Sequence, residues 1–546
     1  MKTSLRSPWI FSVALLAFVV CSAHANNITV TNVSLVSVNT NAGILQIKFD
    51  LAWENSWRVT APPANWDAAW VFAKYQGADG VWRHCSLSAN TADHTVPAGA
   101  TLQVGLTGAR AVGAFAYRST TGSGTVSWPN LRLQWNYASD GVRNSDLVSV
   151  DVSAIEMVYV PTGPFYAGDG ASSNRFHLGN NPSAPFYLLG GGTITLNDTA
   201  GSGFLWMLGL TNSLRGSVII APSGYNAFYC MKYECSQGQL VAFLNKTLRA
   251  YSSPWPSARA VVTGTPPLAT TPTPDRGALS TENQTLAYLD WAALRPMTDL
   301  EYEKACRGPL PAFGNEYAWG TALRALQAYG LTNDGTALEM VSTNFDTHFG
   351  NTWDTRTVFG VTENLLGSIV YFSNPGCFGQ IFPSILNPPY QYGPCRVGMF
   401  SRISYSGTAA ARVQSGATYY GIMDMTGNLG EPVYPVVHAN SIVVFNANHG
   451  DGNLSAQADA DVSSWPTNSI VARGGGVDIS YGLRSGSYNY NNPISGVCLR
   501  GPLPSLVAVG ITKSILDRSF VQRSRNTGGT IDGIEAFGIR GVRTAP

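Results

Sequence analysis

The sequence predicts an α+β chain that opens with a β-sandwich, and three observations carry that expectation. Apolar residues alternate with polar ones through the first quarter of the chain. Helix-start signatures occur only further along. Charged residues are 12% of the total, with 57 glycines and 31 prolines, against roughly 25% charge in an average domain. Such a composition describes short strands joined by many turns.

The N-terminus reads MKTSLRSPWIFSVALLAFVVCSAHA. Lys2 and Arg6 form a positive head, an apolar run follows, and Ala23-His24-Ala25 meets the A-x-A cleavage rule. Residues 1–25 therefore read as a secretory signal peptide, with the mature chain starting near Asn26. The run is too short to span a bilayer of about 30 Å, and Val20 stands before Cys21 where lipidation requires a small residue. The expected location is secreted or cell-surface, with no transmembrane segment. A net charge of +1 supplies no field for nucleic acid. Seven cysteines follow the signal: Cys85, Cys230, Cys235, Cys306, Cys377, Cys395 and Cys498. An odd number leaves one thiol free or paired to another chain. Cys377 with Cys395 can close a loop, while Cys230 and Cys235 would stand about 16 Å apart on one strand.

Residues 26–150 carry the sandwich. In ILQIKFDLAW, Leu45, Ile47, Phe49, Leu51 and Trp53 fall on one face and Gln46, Lys48 and Asp50 on the other, the period of a half-buried strand. LQVGL (Leu102, Val104, Leu106) and LRLQW (Leu131, Leu133, Trp135) repeat the pattern. Short strands with turn clusters between them and no helical stretch suggest an Ig-like sandwich. Because its strands supply their own apolar face, the module is expected to fold alone.

Residues 151–546 change texture, beginning at MVYVPTGPFYAGD. FYCMKYECSQGQLVAFLN reads as strand then helix, with Ser236 and Gln239 as a capping box and Leu240, Phe243, Leu244 and Leu248 as the apolar face. LRPMTDLEYEKACRG repeats the logic: Thr298 caps, Glu301 answers it, Asp299 lies in the first turn, and Arg307-Gly308 ends the helix. EYAWG, YYGIMDMTGNLGE, VARGGG and FGIRGVRT complete the series. In this order the segments resemble the formylglycine-generating enzyme family, the sulfatase-modifying factor domain, from about Ile155 to Thr544, and look closest to its exported Bacteroidetes-like branch. The resemblance implies an irregular α+β variant of the C-type lectin fold.

It also implies a test. Family oxidases hold copper with two cysteines that follow the GGS turn by three and eight residues, since soft thiolates suit Cu(I). Here Gly476 takes the serine position, and the cysteine positions are Ile479 and Arg484. Neither supplies a thiolate, so no copper and no oxidase reaction are expected. The iron-dependent branch of the fold carries H-x3-H-x-E, which this sequence lacks. Zincin, nucleophile-elbow and phosphate-loop signatures are also missing. His449 and Asp451 in NANHGDGN read as a solvated turn, and DADV (459–462) as a surface acidic loop.

Binding is the remaining reading. DISYGLRSGSYNYNN places Asp478, Tyr481, Arg484, Tyr488 and Tyr490 among small polar residues, a composition that joins aromatic area to adaptable hydrogen bonding. Its expected partner is a glycan or a protein ligand at the cell surface. The family also holds structural Ca²⁺, with one ion at G-N-x-x-E. The matching stretch is Gly427 to Glu431, so the resemblance implies Asn428 and Glu431 as hard oxygen ligands. Gly430 and Pro432 replace the family's flanking tryptophans. The leading expectation is an exported, non-catalytic binding or structural protein. The rivals are a formylglycine-generating oxidase acting on sulfatases and a self-assembling surface or filament subunit, the latter favoured by low charge and abundant aromatics.

Overall fold

The computed structural model describes residues 27–171, 176–207, 210–250, 262–314, 316–321, 331–333, 339–341, 354–358, 361–365, 394–399, 412, 415–438, 441–446, 448–466, 471–474 and 538–546. In chain order the first strands are β1 (Thr29–Asn39), β2 (Ile44–Arg58), β3 (Asp67–Gln76), β4 (Trp82–His84), β5 (Ala100–Thr107), β6 (Arg110–Arg118), β7 (Gly122–Trp135) and β8 (Ser149–Val160). Four short strands follow, β9 (Phe165–Ala167), β10 (Phe176–Leu178), β11 (Phe186–Leu188) and β12 (Leu205–Met207), and then β13 (Phe228–Met231). Helices α1 (Gln237–Thr247), α2 (Glu282–Trp291) and α3 (Asp299–Arg307) come next. The rest are short: β14 (Leu331–Thr332), β15 (Met340–Val341), β16 (Asp354–Val358), β17 (Val361–Leu365), β18 (Glu431–Val433), β19 (Val437–His438), β20 (Ser441–Ile442), β21 (Val471–Arg473) and β22 (Val542–Thr544). The fold is β-rich α+β. Among the described residues no helix is long and apolar enough to cross a membrane.

Two antiparallel sheets face each other across the first core. One has the order β1-β2-β7 and the other β22-β13-β8-β3-β6-β5, with β4 attached to β3. The alternation in β2 does what its period requires: Leu45, Ile47, Phe49, Leu51 and Trp53 are buried, packed on Leu131, Leu133 and Trp135 of β7 and on Ala69, Val71 and Ala73 of β3. Leu106 departs from the expected face and is 45% exposed. The register between β5 and β6 shifts between Gly105 and Leu106, with the extra residue, Val112, in β6, and such a bulge bends the ladder and increases its twist at the end of this hairpin.

β3 is buried on both faces. Its second face, Ala68, Trp70 and Phe72, packs with Phe115, Ile155, Met157 and Tyr229 beneath α1 and α2. Trp70 fits because β5 and β6 carry Gly105 and Gly113 beside it, where a Cβ would come within 2.6 Å of its ring. The boundary expected at residue 150 falls inside β8, which pairs with β3 from Asp67 to Gln76 and with β13 on its other side. The large sheet is therefore shared by both segments, and the sandwich does not complete its own layers.

The capping boxes at Ser236–Gln239 and Thr298–Glu301 form as read, and a third, Thr281–Gln284, starts α2. Leu248 does not join the apolar face of α1. It is the left-handed C-cap, 61% exposed, because the helix stops at Thr247.

Candidate functional site

Asp478, Ile479, Tyr481, Arg484, Tyr488 and Tyr490 lie outside the described residues. The segment that leads to them is described from Val471 to Gly474. There β21 pairs antiparallel with β18, setting Arg473 opposite Glu431. The arginine-glycine motif and the expected calcium motif are thus neighbours. Gly474 has φ +83°, and a Cβ on it would lie 2.5 Å from the Glu431 carboxylate, so this turn accepts only glycine.

The helix α3 explains what surrounds them. All nine of its residues are buried, including Asp299, Glu301, Glu303, Lys304 and Arg307. Buried charge requires partners, and the other motifs supply them. Arg473 Nη2 reaches Glu303 at 3.2 Å and Asp299 at 4.0 Å. Arg295 forks onto Glu301 at 2.8 and 2.6 Å. Arg307 engages Glu316 of the EYAWG segment and stands 3.6 Å from Glu303. Arg540, from FGIRGVRT, donates to Glu431 at 3.0 Å and to the carbonyls of Met231 and Met423 at 2.8 and 2.9 Å. Glu234, from KYEC, accepts the Leu429 N–H at 2.9 Å and the Asn428 amide. Segments separated by hundreds of residues thus meet in one interior network.

Asn428 and Glu431 sit inside that network. The Asn428 side-chain oxygen accepts the Cys395 N–H at 2.8 Å, its backbone has φ +56°, and Glu431 carries the Arg540 guanidinium. Burial, then the nearby charges of Asp424 and Glu431, push Glu234 well above the usual carboxylate range. Asp424 is also raised, again by burial.

Among the described residues Cys85, Cys230, Cys235 and Cys306 are free and buried. Burial pushes Cys230 and Cys235 up to about 12, and Cys85 and Cys306 well above the ordinary thiol value. They are thiols, not the thiolates that bind metal or attack. Cys395 is in a disulfide whose partner lies outside the described residues.

A second constellation joins three segments. Asp290, in the last turn of α2, accepts the backbone N–H of Asp451 at 3.3 Å and of Asp461 at 2.9 Å. One carboxylate oxygen from each of Asp290, Asp451 and Asp461 lies within 4.8 Å of the others. Lys74 faces them from β3, donating to the Trp291 and Gly452 carbonyls at 2.6 Å each, and Arg110 approaches Asp451 at 3.7 Å. Burial first, then the charges of Asp461 and Asp451, push the Asp290 carboxyl up to about 8 against the two N–H bonds. These oxygens are of the type that holds a hard cation. The HGDGN turn is correspondingly less solvated than read: His449 is half-buried and accepts the Thr544 N–H at 3.1 Å. Sequence reading missed Asp290. One signal was available, because an acid at the C-terminal end of a helix opposes the macrodipole.

Comparison of the chain with protein-family models, with curated proteins and with solved structures returns no match.

Proposed function

We propose that this is an exported, non-catalytic binding or structural protein of the cell surface or extracellular space. In this reading residues 26–150 belong to an Ig-like sandwich, and the remainder keeps the C-type-lectin-like frame of the formylglycine-generating enzymes without their reaction. One observation carries it. The charged residues of the shared motifs are committed to one another in the interior, as in Glu431–Arg540, Glu303–Arg473 and Glu301–Arg295, while the copper positions hold Ile479 and Arg484. The motifs then serve as frame, and ligand contact falls to the polar, aromatic stretch 478–490. The calcium implied at Asn428 and Glu431 belongs to the same proposal; melting the protein in calcium and in chelator tests it.

A second reading, a self-assembling subunit, is favoured by β1. This edge strand pairs with β2 alone among the described residues, bears no charge, and exposes Val33, Leu35 and Val38. Such an edge is open to strand addition.

The deciding experiment supplies the purified protein with Cu(I), oxygen, a reductant and a CxPxR peptide. Mass spectrometry is expected to find the peptide cysteine unchanged. Conversion to formylglycine would establish the oxidase and end the non-catalytic reading.

A further inference from the structure

β5 and β22 stand at opposite ends of the strand order of the large sheet. Yet the Gln103 amide donates to the Pro546 carbonyl at 3.1 Å, and Arg543 donates to the Leu106 carbonyl at 2.6 Å. The sheet therefore curls until its two ends meet through side chains. At one mouth of the curl lies a cavity of about 450 Å³, within the size range of small-ligand sites, which favour such mouths.

Its wall is built from neighbouring strands. Trp66, just before β3, is stacked on Tyr159 of β8 at 4.0 Å and 7°, with Tyr117 of β6 5.1 Å away at 24°. The Arg58 guanidinium packs over Trp66 and Tyr117 at 5.0 and 5.4 Å and holds this row from outside the cavity. A hydrogen-bond chain locks the rest: Trp66 Nε1 donates to the Tyr229 hydroxyl at 3.2 Å, which donates to Gln103 Oε1 at 3.3 Å. What stays open is polar, with no charged side chain among the lining residues. The Asn226 amide is exposed, and the Tyr117 and Tyr159 hydroxyls have no hydrogen-bond partner among the described residues.

No Asp, Glu, Lys, Arg or His lines the cavity. That removes the means of holding a phosphate or a carboxylate. A purely apolar ligand would strand the amide and the two hydroxyls away from water. An open amide and two open phenol hydroxyls are complemented by a ligand that presents several hydroxyls and no charge. We propose that this cavity binds a neutral saccharide. The inference rests on the binding reading above and names its ligand class, but it places the ligand on the curled sheet rather than on 478–490.

The test is isothermal titration of the purified mature protein with maltohexaose, cellohexaose, xylohexaose and N-acetylchitohexaose. At least one is expected to bind. Asn226→Ala and Tyr159→Phe, each of which alters a group at the cavity surface, are expected to weaken it about tenfold each, the loss of one hydrogen bond, with melting temperatures unchanged. Failure of all four sugars to bind at millimolar concentration would overturn the proposal. Binding that both variants leave intact would also overturn it, by placing the sugar elsewhere. Neither result touches the non-catalytic reading, which only peptide turnover ends.

Discussion

The carboxylate cluster makes stability depend on pH in a direction opposite to most acids. Asp290 is buried, and its carboxyl is raised from 3.8 to about 8. A group raised on folding binds its proton more tightly in the native state. Its contribution is therefore fully present below pH 4 and is lost as pH rises from there through about 8. The groups facing it are Asp451, Asp461, Lys74 and Arg110, and the two acids are close enough to oppose a third charge. A shift of this size corresponds to a loss on the order of 5 kcal/mol across the window, at about 1.4 kcal/mol per unit. Asp290→Asn cannot ionise, but its amide nitrogen takes the place of one of the two oxygens that accept the Asp451 and Asp461 N–H groups. It should be less stable than the parent protein by about 1–3 kcal/mol near pH 4 and gain on it by several kcal/mol as pH rises through about 8. Urea melts followed by tryptophan fluorescence at stepped pH give both curves. Parallel curves for the two proteins across that range would refute the reasoning, because they would show that Asp290 does not hold its proton.

Three further outcomes are expected. Glu431→Gln leaves Arg540 buried without its counter-ion and should cost about 3–5 kcal/mol in chelator as well as in calcium; a cost seen only in calcium would mean that the carboxylate serves a metal alone. Cys85, Cys230, Cys235 and Cys306, buried and held as thiols, should resist a disulfide reagent until the chain unfolds; labelling of any of them in the native protein, located by peptide mass mapping, would contradict their burial. A fragment of residues 27–150 lacks most of β8, which pairs with β3, and exposes Trp70 and Phe72, so circular dichroism should show no cooperative melt; a sharp transition would mean that the sandwich is self-sufficient.

Local signals were legible and contextual ones were not. The period of two in β2 and the boxes at Ser236 and Thr298 act within a few residues, and the structure has them where they were read. The box at Thr281 is equally local, written in TENQ. Leu106 and Leu248 failed for backbone reasons, a register shift and a left-handed cap, neither of which alters the apolar pattern. Asp290, Asp451 and Asp461 converge from positions some 160 residues apart, and no spacing rule reaches that far. Composition changes near residue 150, yet hydrogen bonds carry the sheet across it.

The interior network bears on how the motifs are to be understood. Arg540, Arg473 and Arg295 are each completely or almost completely buried, and an arginine cannot shed its charge to escape burial. Loss of Glu431 or Glu301 therefore takes the salt-bridge partner from a buried cation, whereas an exposed ion pair lost at the surface costs about 1 kcal/mol or less. The energetic effects of substitutions within GNLGE, VARGGG or TDLEYEKACRG are thus expected to be coupled through the fold. On that reasoning the buried charges of these motifs serve the architecture, and among the described residues open polar groups are found at the mouth of the curled sheet.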